Sequence, residues 1–420
     1  MKKNVWILNH FATSMMFSKG GRHYWFAKYL KREGYEPVIF SCNTKHGIKE
    51  KWFETEKLWI EKEAEEINVP FVVVNAPMYS GNGRERIINM LAFYRNVQIA
   101  AKQYAKKNGK PDVVVASSVH PLTLVAGIRL AKHFGIKCIS EVRDLWPESI
   151  VTYSNRITKT SVLGRALYRG EKWLYRKSDA LIFTMAGGAD YIKEHKWNKE
   201  QGGPIDLKKV FHINNGVDLE IFDRNAEEFR CEYPDLDDES RFKVIYAGSV
   251  RRVNKIGTLL DAAKLLDTEK VHVMIFGDGD ERETLQKRVA DEEIANVSFE
   301  GCVAKQYVPS IVKRADLNVV HWEASPLIRY GESSNKSFEY YAAGKPILFT
   351  TRPAYSIVEK YRCGLTTEDQ EPETIAAAIR EIAQTSEENR TMMCQNARKA
   401  AKDYDFKNLT NELIRIIELL

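Results

Sequence analysis

Apolar positions fall along this chain in two successive series. Short, continuous apolar runs at 5–8, 37–41, 71–75, 113–117, 137–142 and 181–185 have the length of buried strands. A strand covered on both faces needs no polar alternation, so such runs predict a parallel sheet. Between them, apolar residues recur at helical spacing over 22–31, 85–107 and 122–133. After a polar break near 200–206, a second series predicts strands at 210–213, 243–247, 272–276, 297–300, 317–321 and 346–350, again with helices between. From Pro372 onward the pattern is helical only. No 20–50-residue repeat and no low-complexity tract interrupts this order, which excludes a solenoid. Strand and helix in alternation predict an α/β chain with two Rossmann-like domains facing a central cleft, followed by C-terminal helices.

A length of 420 residues exceeds one ordinary core and agrees with two domains. Contents of 44% hydrophobic and 29% charged residues are ordinary for a soluble globular protein. No apolar run is long enough to cross a bilayer. The opening MKKNVWILNHFATSMMFSKGG mimics a signal peptide, but His10, Thr13 and Ser14 interrupt it, so it reads as a first strand and loop. Cys42, Cys138, Cys231, Cys302, Cys363 and Cys394 are scattered with no CxxC. That argues against a disulfide framework or zinc site and fits a reducing cytoplasm. The net charge of +6 fits an anionic substrate or an anionic membrane surface. No recognition helix or RNA-stacking motif is present, so nucleic acid is not an expected partner.

In open parallel sheets ligands sit beyond the carboxyl ends of the strands, so four loops matter. Gly20-Gly21 precedes a helix, where glycine lets a ligand approach the backbone and the helix start favours anions; a plain turn explains it equally well. In YAGSVRRVNKIG, Arg251, Arg252 and Lys255 cluster between a strand end and a helix starting near Ile256. Guanidinium and ammonium groups there suit a diphosphate, or form a solvated basic loop. FGDGDERETL lacks the third glycine of a dinucleotide fingerprint and has acids where a pyrophosphate would lie. It reads as a turn and helix start, so an NAD-dependent oxidoreductase is not expected. In GESSNKSFEYYAAGKP, Ser333, Ser334 or Asn335 caps a helix running to about Ala343, and Gly344 stops it. Glu339, a turn inside, can accept both hydroxyls of a ribose while the amides and Lys336 hold phosphate; the alternative is an exposed helix acid. Glu332 and Glu339, seven apart, would share a face only if both were helical.

SKGG, EVRDLWPES (141–149), INNGVDLEIF (213–222), YAGSV, FGDGDERETL, VSFEGCV (297–303) and SNKSFEYYAAGKPI occur in an order that resembles the family 4 glycosyltransferases. These have the two-Rossmann GT-B fold and use nucleotide-activated sugars. Within them the chain resembles bacterial enzymes of surface-polysaccharide assembly, some of which transfer N-acetylfucosamine. The resemblance implies an acceptor-binding domain over 1–205, a nucleotide-sugar-binding domain over 206–400, and a helix at 401–420 crossing back to the first. Arg251 or Arg252, with Lys255, would neutralise the donor diphosphate, although the family's arginine follows the loop glycine directly and here Ser249 and Val250 intervene. Gly20 and Gly21 match the glycine loop, and the backbone at Cys302 and Val303 would meet the base. Ser334 and Asn335 would border the phosphates. Glu339 matches the second acid of the family's E-x7-E motif and would bind ribose. Gly331 stands where the first acid belongs, and Glu332 is one place late. Charge stabilisation would then fall to Lys336, Lys255 and the helix amides.

By the same resemblance, His120 in SSVHP and Arg143, Asp144 and Glu148 in RDLWPES would reach sugar or acceptor. Alternatively, Trp146 and Pro147 shape the loop and His120 caps the next helix. The implied reaction is transfer with retention, by a front-face route, without metal or cofactor. Over 155–179, Arg156, Lys159, Arg165, Arg169, Lys172, Arg176 and Lys177 mix with Leu163, Leu167, Trp173 and Leu174. A basic amphipathic helix of this kind lies on anionic lipid, which fits a lipid-linked acceptor and a peripheral place on the inner face of the membrane, or it packs on the first domain. Two rivals remain: a GT-B sugar-nucleotide epimerase, and a non-catalytic nucleotide-sugar-binding subunit supporting a partner glycosyltransferase.

Overall fold

The computed structural model describes residues 3–153 and 157–420. The chain forms two compact units, Met1–Asn214 with Phe406–Leu420, and Asn215–Asp405. Strands of the first unit are β1 (Asn4–Leu8), β2 (Glu36–Cys42), β3 (Trp59–Ala64), β4 (Val69–Val74), β5 (Val113–Ser118), β6 (Lys137–Val142), β7 (Ala180–Phe183) and β8 (Val210–His212). They lie in the order β3-β4-β2-β1-β5-β6-β7-β8. All neighbours are parallel except β3, which runs antiparallel to β4. Buried Val, Ile and Leu side chains fill these strands because helices such as Arg22–Arg32, Arg84–Asn108 and Pro121–Phe134 cover them. Trp6 anchors one side of the sheet, its ring 4.8 Å from Phe40 and 5.7 Å from Phe134.

Two strands depart from the sequence reading. WIEKEA forms β3, a half-exposed edge whose alternating charges hide it from a search for buried runs. The apolar pattern places β8 in the second series, but it pairs with β7. The boundary therefore falls after Asn214, not at 205/206. The last helix, Phe406–Leu419, packs on helix Arg22–Arg32 within the first unit, with the Phe26 and Phe406 rings 5.5 Å apart.

Strands of the second unit are β9 (Phe242–Ala247), β10 (Val271–Phe276), β11 (Val297–Gly301), β12 (Leu317–Val320), β13 (Ile347–Phe349) and β14 (Gly364–Thr366). All are parallel, in the order β11-β10-β9-β12-β13-β14. β14 has only three residues and too little apolar pattern to stand out beforehand. Helix Ile256–Lys264 buries Ile256, Leu259 and Leu260 against β9 and β10. Helix Asn335–Ala343 ends on Gly344, whose φ of 64° is the expected left-handed stop. The two ends of this unit meet at a bridge between Val217 and Asp405, with Val217 N donating to Tyr404 O at 3.2 Å. Among the described residues, no helix is long and apolar enough to cross a membrane.

Candidate functional site

In the second unit the strand order reverses between β9 and β12, so the loops after these strands border the crevice such sheets use for ligands. Tyr246, near the end of β9, is fully buried. Its hydroxyl donates to Ser249 O at 2.8 Å and accepts from Lys336 Nζ at 3.0 Å. The Lys336 ammonium also sits 4.3 Å from the Tyr246 ring centroid. Gly248 makes this approach possible, because a Cβ there would lie 2.6 Å from Lys336 Nζ. Burial lowers the Lys336 amine to about 8, with Glu339 acting in the opposite direction.

The same loop carries the other cations. Arg251 and Arg252 are exposed, and neither guanidinium has an ion pair among the described residues. Lys255 pairs with Glu323 at 3.1 Å. Its backbone is left-handed, φ 46° and ψ 40°, an unfavourable state for lysine. His321, just beyond β12, holds it there: Nε2 meets Lys255 O at 3.0 Å and Nδ1 meets Thr350 Oγ at 2.6 Å. Burial lowers His321 to about 4, so its ring is neutral and serves as a fixed donor. Helices Ile256–Lys264 and Asn335–Ala343 begin beside these loops, and first-turn amides have no intrahelical partner. Amides, two unpaired guanidiniums and a buried ammonium suit an anion with several oxygens.

The two acids of GESSNKSFEYY have separate roles. Glu332 is buried, and burial pushes its carboxyl up to about 7. Its Oε2 accepts from Ser334 N at 2.8 Å. Ser334 is the N-cap residue, but its side chain makes no capping bond; Glu332 instead takes the amide of Ser334 itself, the first of the unpaired donors at this helix start. Glu339 remains a quarter exposed and faces Lys305 at 3.8 Å. Gly331 has a φ of 96°, a region that favours glycine, so a glutamate there would be strained. Asn215 of the INNGVD motif steadies this loop, donating to Ser333 O at 2.5 Å. Cys302 and Val303 follow β11; Cys302 is exposed, and Val303 packs partly on the Ile245, Met274 and Phe276 cluster.

In the first unit the strand order reverses between β1 and β5. His10 and His120 lie just past these strands, with His120 Nε2 and His10 Nδ1 2.8 Å apart. Both rings are buried, and burial lowers His120 to about 3. His120 begins helix Pro121–Phe134, yet its side chain makes no capping bond, which overturns the capping alternative. Gly20 and Gly21 lead into helix Arg22–Arg32, with Gly21 at φ 109°. Beyond them, Arg22 Nε donates to Glu141 Oε1 at 2.7 Å. His23 Nε2 and Ser117 Oγ meet Glu141 Oε2 at 2.8 and 2.7 Å. Asn9 Nδ2 meets His23 Nδ1 at 2.7 Å. Arg22 also donates to Asn214 O at 2.6 Å and Ile213 O at 2.8 Å. The facing charge of Arg22 holds Glu141 well below the usual carboxylate range despite its burial.

Glu141, at the head of EVRDLWPES, is thus a buried counter-ion. The sequence signal is an acid inside the strand KCISEV, buried from Cys138 onward, though its partner cannot be named from there. Arg143 is half-buried, its amide donating to Ser118 Oγ at 3.0 Å, and Asp144 is exposed. Glu148, expected to reach sugar or acceptor, is buried instead. It binds Lys159 at 2.7 Å and the Tyr168 hydroxyl, and lies 3.7 Å from His195. These partners hold its carboxyl near 2 against the opposing effect of burial. It ties helices Trp146–Tyr153 and Val162–Lys177 together. Arg156, counted among the basic positions, lies outside the described residues.

Residues 24–221 match the family described as Glycosyltransferase Family 4, and residues 241–385 match Glycosyl transferases group 1. A Bacillus subtilis (strain 168) protein described as a glycosyltransferase of teichuronic acid biosynthesis is 22% identical over 283 residues, covering 66% of this chain and 66% of its own length. Among solved structures, sucrose-phosphate synthase from Thermosynechococcus elongatus aligns with a TM-score of 0.72 at 17% identity, covering 100% of this chain and 99% of the other. The E. coli trehalose-6-phosphate structure bound with UDP-2-fluoro glucose aligns at 0.71 and 10% identity, covering 99% of each chain. Anabaena HepE in complex with UDP and glucose aligns at 0.64 and 14% identity, covering 100% of each. At such identities the likeness establishes the fold, which is that of GT-B glycosyltransferases.

Proposed function

We propose that this chain, which carries family 4 and group 1 glycosyltransferase domains, transfers a sugar from a UDP-sugar donor to a lipid-linked glycan with retention at the anomeric carbon. The observation that carries this reading is the Lys336 ammonium lodged at Gly248 under the arginine loop. A nucleoside diphosphate is already a good leaving group, so the main task is stabilising its growing negative charge. Lys336, Lys255 and Arg251 or Arg252 would supply that charge with the amides of helix Asn335–Ala343. An incoming diphosphate favours the charged form of Lys336 and raises its pKa again. Glu339 would accept from the ribose hydroxyls, and backbone near Cys302 and Val303 would border the base. Cations placed in this way supply the role a divalent metal would otherwise fill, so transfer would proceed without metal or cofactor.

No carboxylate is assigned the part of a nucleophile. A donor phosphate oxygen would take the acceptor proton as the sugar moves across one face. His120, Arg143 and Asp144 would border the acceptor side of the first unit. An N-acetylated hexose donor, a glycan on a lipid diphosphate, and a place on the inner face of the membrane in surface-polysaccharide assembly complete the reading. The teichuronic acid relative supports the polysaccharide-biosynthesis part of this reading.

The test incubates the protein with UDP- and GDP-sugars plus a lipid-linked glycan, and follows nucleoside diphosphate release and the anomeric proton coupling of the product. UDP release with an unchanged anomeric configuration is expected. Inversion would overturn the retaining mechanism. Nucleotide binding with no release for any donor would favour a second reading, a non-catalytic binding subunit. The backbone at Gly331, which disfavours the family's first acid, is the observation behind that alternative.

A further inference from the structure

Three helices of the first unit, Pro121–Phe134, Trp146–Tyr153 and Val162–Lys177, enclose an apolar pocket of about 200 Å³. Leu124, Val125, Trp146, Leu167, Trp173 and Leu174 make most of its wall, and Ser118 and Asp144 place it beside the ends of β5 and β6. An apolar cavity of ~150 Å³ takes a benzene ring, so this one has room for a segment of hydrocarbon chain. The buried acid in its wall, Glu171, shows an occupant no unsatisfied oxygen: the Tyr175 and Tyr191 hydroxyls donate to its two oxygens at 2.5 and 2.7 Å.

The part of helix Val162–Lys177 at the open side of this pocket states what kind of chain would fit. Leu163, Ala166, Gly170 and Trp173 recur at helical spacing along one exposed face, with Leu163 53% and Trp173 37% accessible. Arg165, Arg169, Lys172 and Arg176 recur along the neighbouring face, and none has an ion pair among the described residues. An apolar slot flanked by an uncompensated cationic stripe is complementary to a molecule with a hydrocarbon tail and an anionic head.

We propose that this pocket holds the first hydrocarbon segment of a lipid-linked phosphate acceptor, with the Arg165, Arg169, Lys172 and Arg176 stripe on its phosphate. The inference rests on the lipid-linked reading of the acceptor, and it assigns that lipid a site. Gly170 offers a clean probe, because it lines the pocket and a Cβ there meets nothing within 4 Å.

Farnesyl phosphate, farnesol and inorganic phosphate are titrated into the full-length protein and into Gly170→Trp and Arg169→Glu. Thermal midpoint and UDP binding in the same samples report the fold. Farnesyl phosphate is expected to bind in a salt-sensitive way, tenfold or more weaker in both variants, with farnesol weaker and inorganic phosphate weakest. Unchanged farnesyl phosphate binding in a folded Gly170→Trp protein would overturn the proposal. Binding to anionic vesicles and oligomeric state are measured on the same proteins: a Gly170→Trp deficit confined to the vesicles would also overturn it, assigning the face to bulk membrane contact, as would a dimer that Gly170→Trp dissolves. Farnesyl phosphate binding without sugar transfer keeps this site and sinks the proposed reaction. Transfer to a lipid acceptor undisturbed by Gly170→Trp does the reverse.

Discussion

The strand ends of the two sheets use charge in opposite ways. In the first sheet, Glu141 inside β6, Arg22 at the start of a helix after β1 and Glu148 beyond β6 are buried and answered by the protein itself. Beyond β9, Arg251 and Arg252 stay exposed, Lys255 pairs with an exposed Glu323, and Lys336 is buried against an aromatic ring with no carboxylate in hydrogen-bond contact among the described residues. The two similar sheets thus hold, on one side, charge paired within the protein and, on the other, charge that the proposed function assigns to the donor. Charge composition cannot separate these uses, because both loops read as polar clusters after a strand.

The sharpest way to break the contrast is to remove Arg22. Arg22→Met would leave Glu141 buried without its counter-ion and should lower stability by ~3–5 kcal/mol, read as a shift in urea midpoint. A loss near zero would mean that the first network is not structural. The next effect falls on activity. Lys336→Met should lower kcat/KM by ~10²–10³, with stability unchanged or improved because a buried charge is gone. Below pH 8 the wild-type ammonium is charged and draws the diphosphate; as pH rises through about 8 that charge is lost, so kcat/KM for the donor should fall. Lys336→Met should lack that decline, and an identical decline in both proteins would remove Lys336 from the donor site.

Glu339→Ala should cut turnover far more than Glu332→Ala, whose main effect should be ~1 kcal/mol of stability from a lost hydrogen bond at the helix start; equal losses of turnover would restore the paired-acid reading. The raised folded pKa of Glu332, about 7, makes its ionised form unfavourable. Stability should therefore decline as pH rises from the ordinary glutamate range through 7, and Glu332→Gln should flatten that decline in thermal melts. Smallest of all, Arg251→Ala and Arg252→Ala should each leave stability within ~0.5 kcal/mol. The larger rise in donor KM would identify the guanidinium that meets the diphosphate.

Most strands were legible because a strand buried on both faces must be a continuous apolar run; β6 lies over the predicted 137–142. β8 was seen but put in the wrong sheet, since membership depends on which neighbour the crossover reaches and not on local pattern. The helix from Asn335 and its stop at Gly344 were readable from local chemistry, whereas the bond at its start was not, because a buried glutamate takes the Ser334 amide and the Ser334 side chain makes no cap. The basic loop and Lys336 were each visible in sequence. Their junction at Tyr246 and Gly248 was not, since it joins positions 90 residues apart. The pairing of Glu148 is hidden in the sequence for a related reason: its partners Lys159, Tyr168 and His195 come from three later segments.

The Val217–Asp405 bridge gives the second unit the topology of an insert, entered and left at one place. In engineering terms it is a cassette. Its termini already lie side by side, so residues 215–405 could be expressed alone or circularly permuted through a short joining loop. Related domains could be exchanged at the same two cut points without redesigning either core.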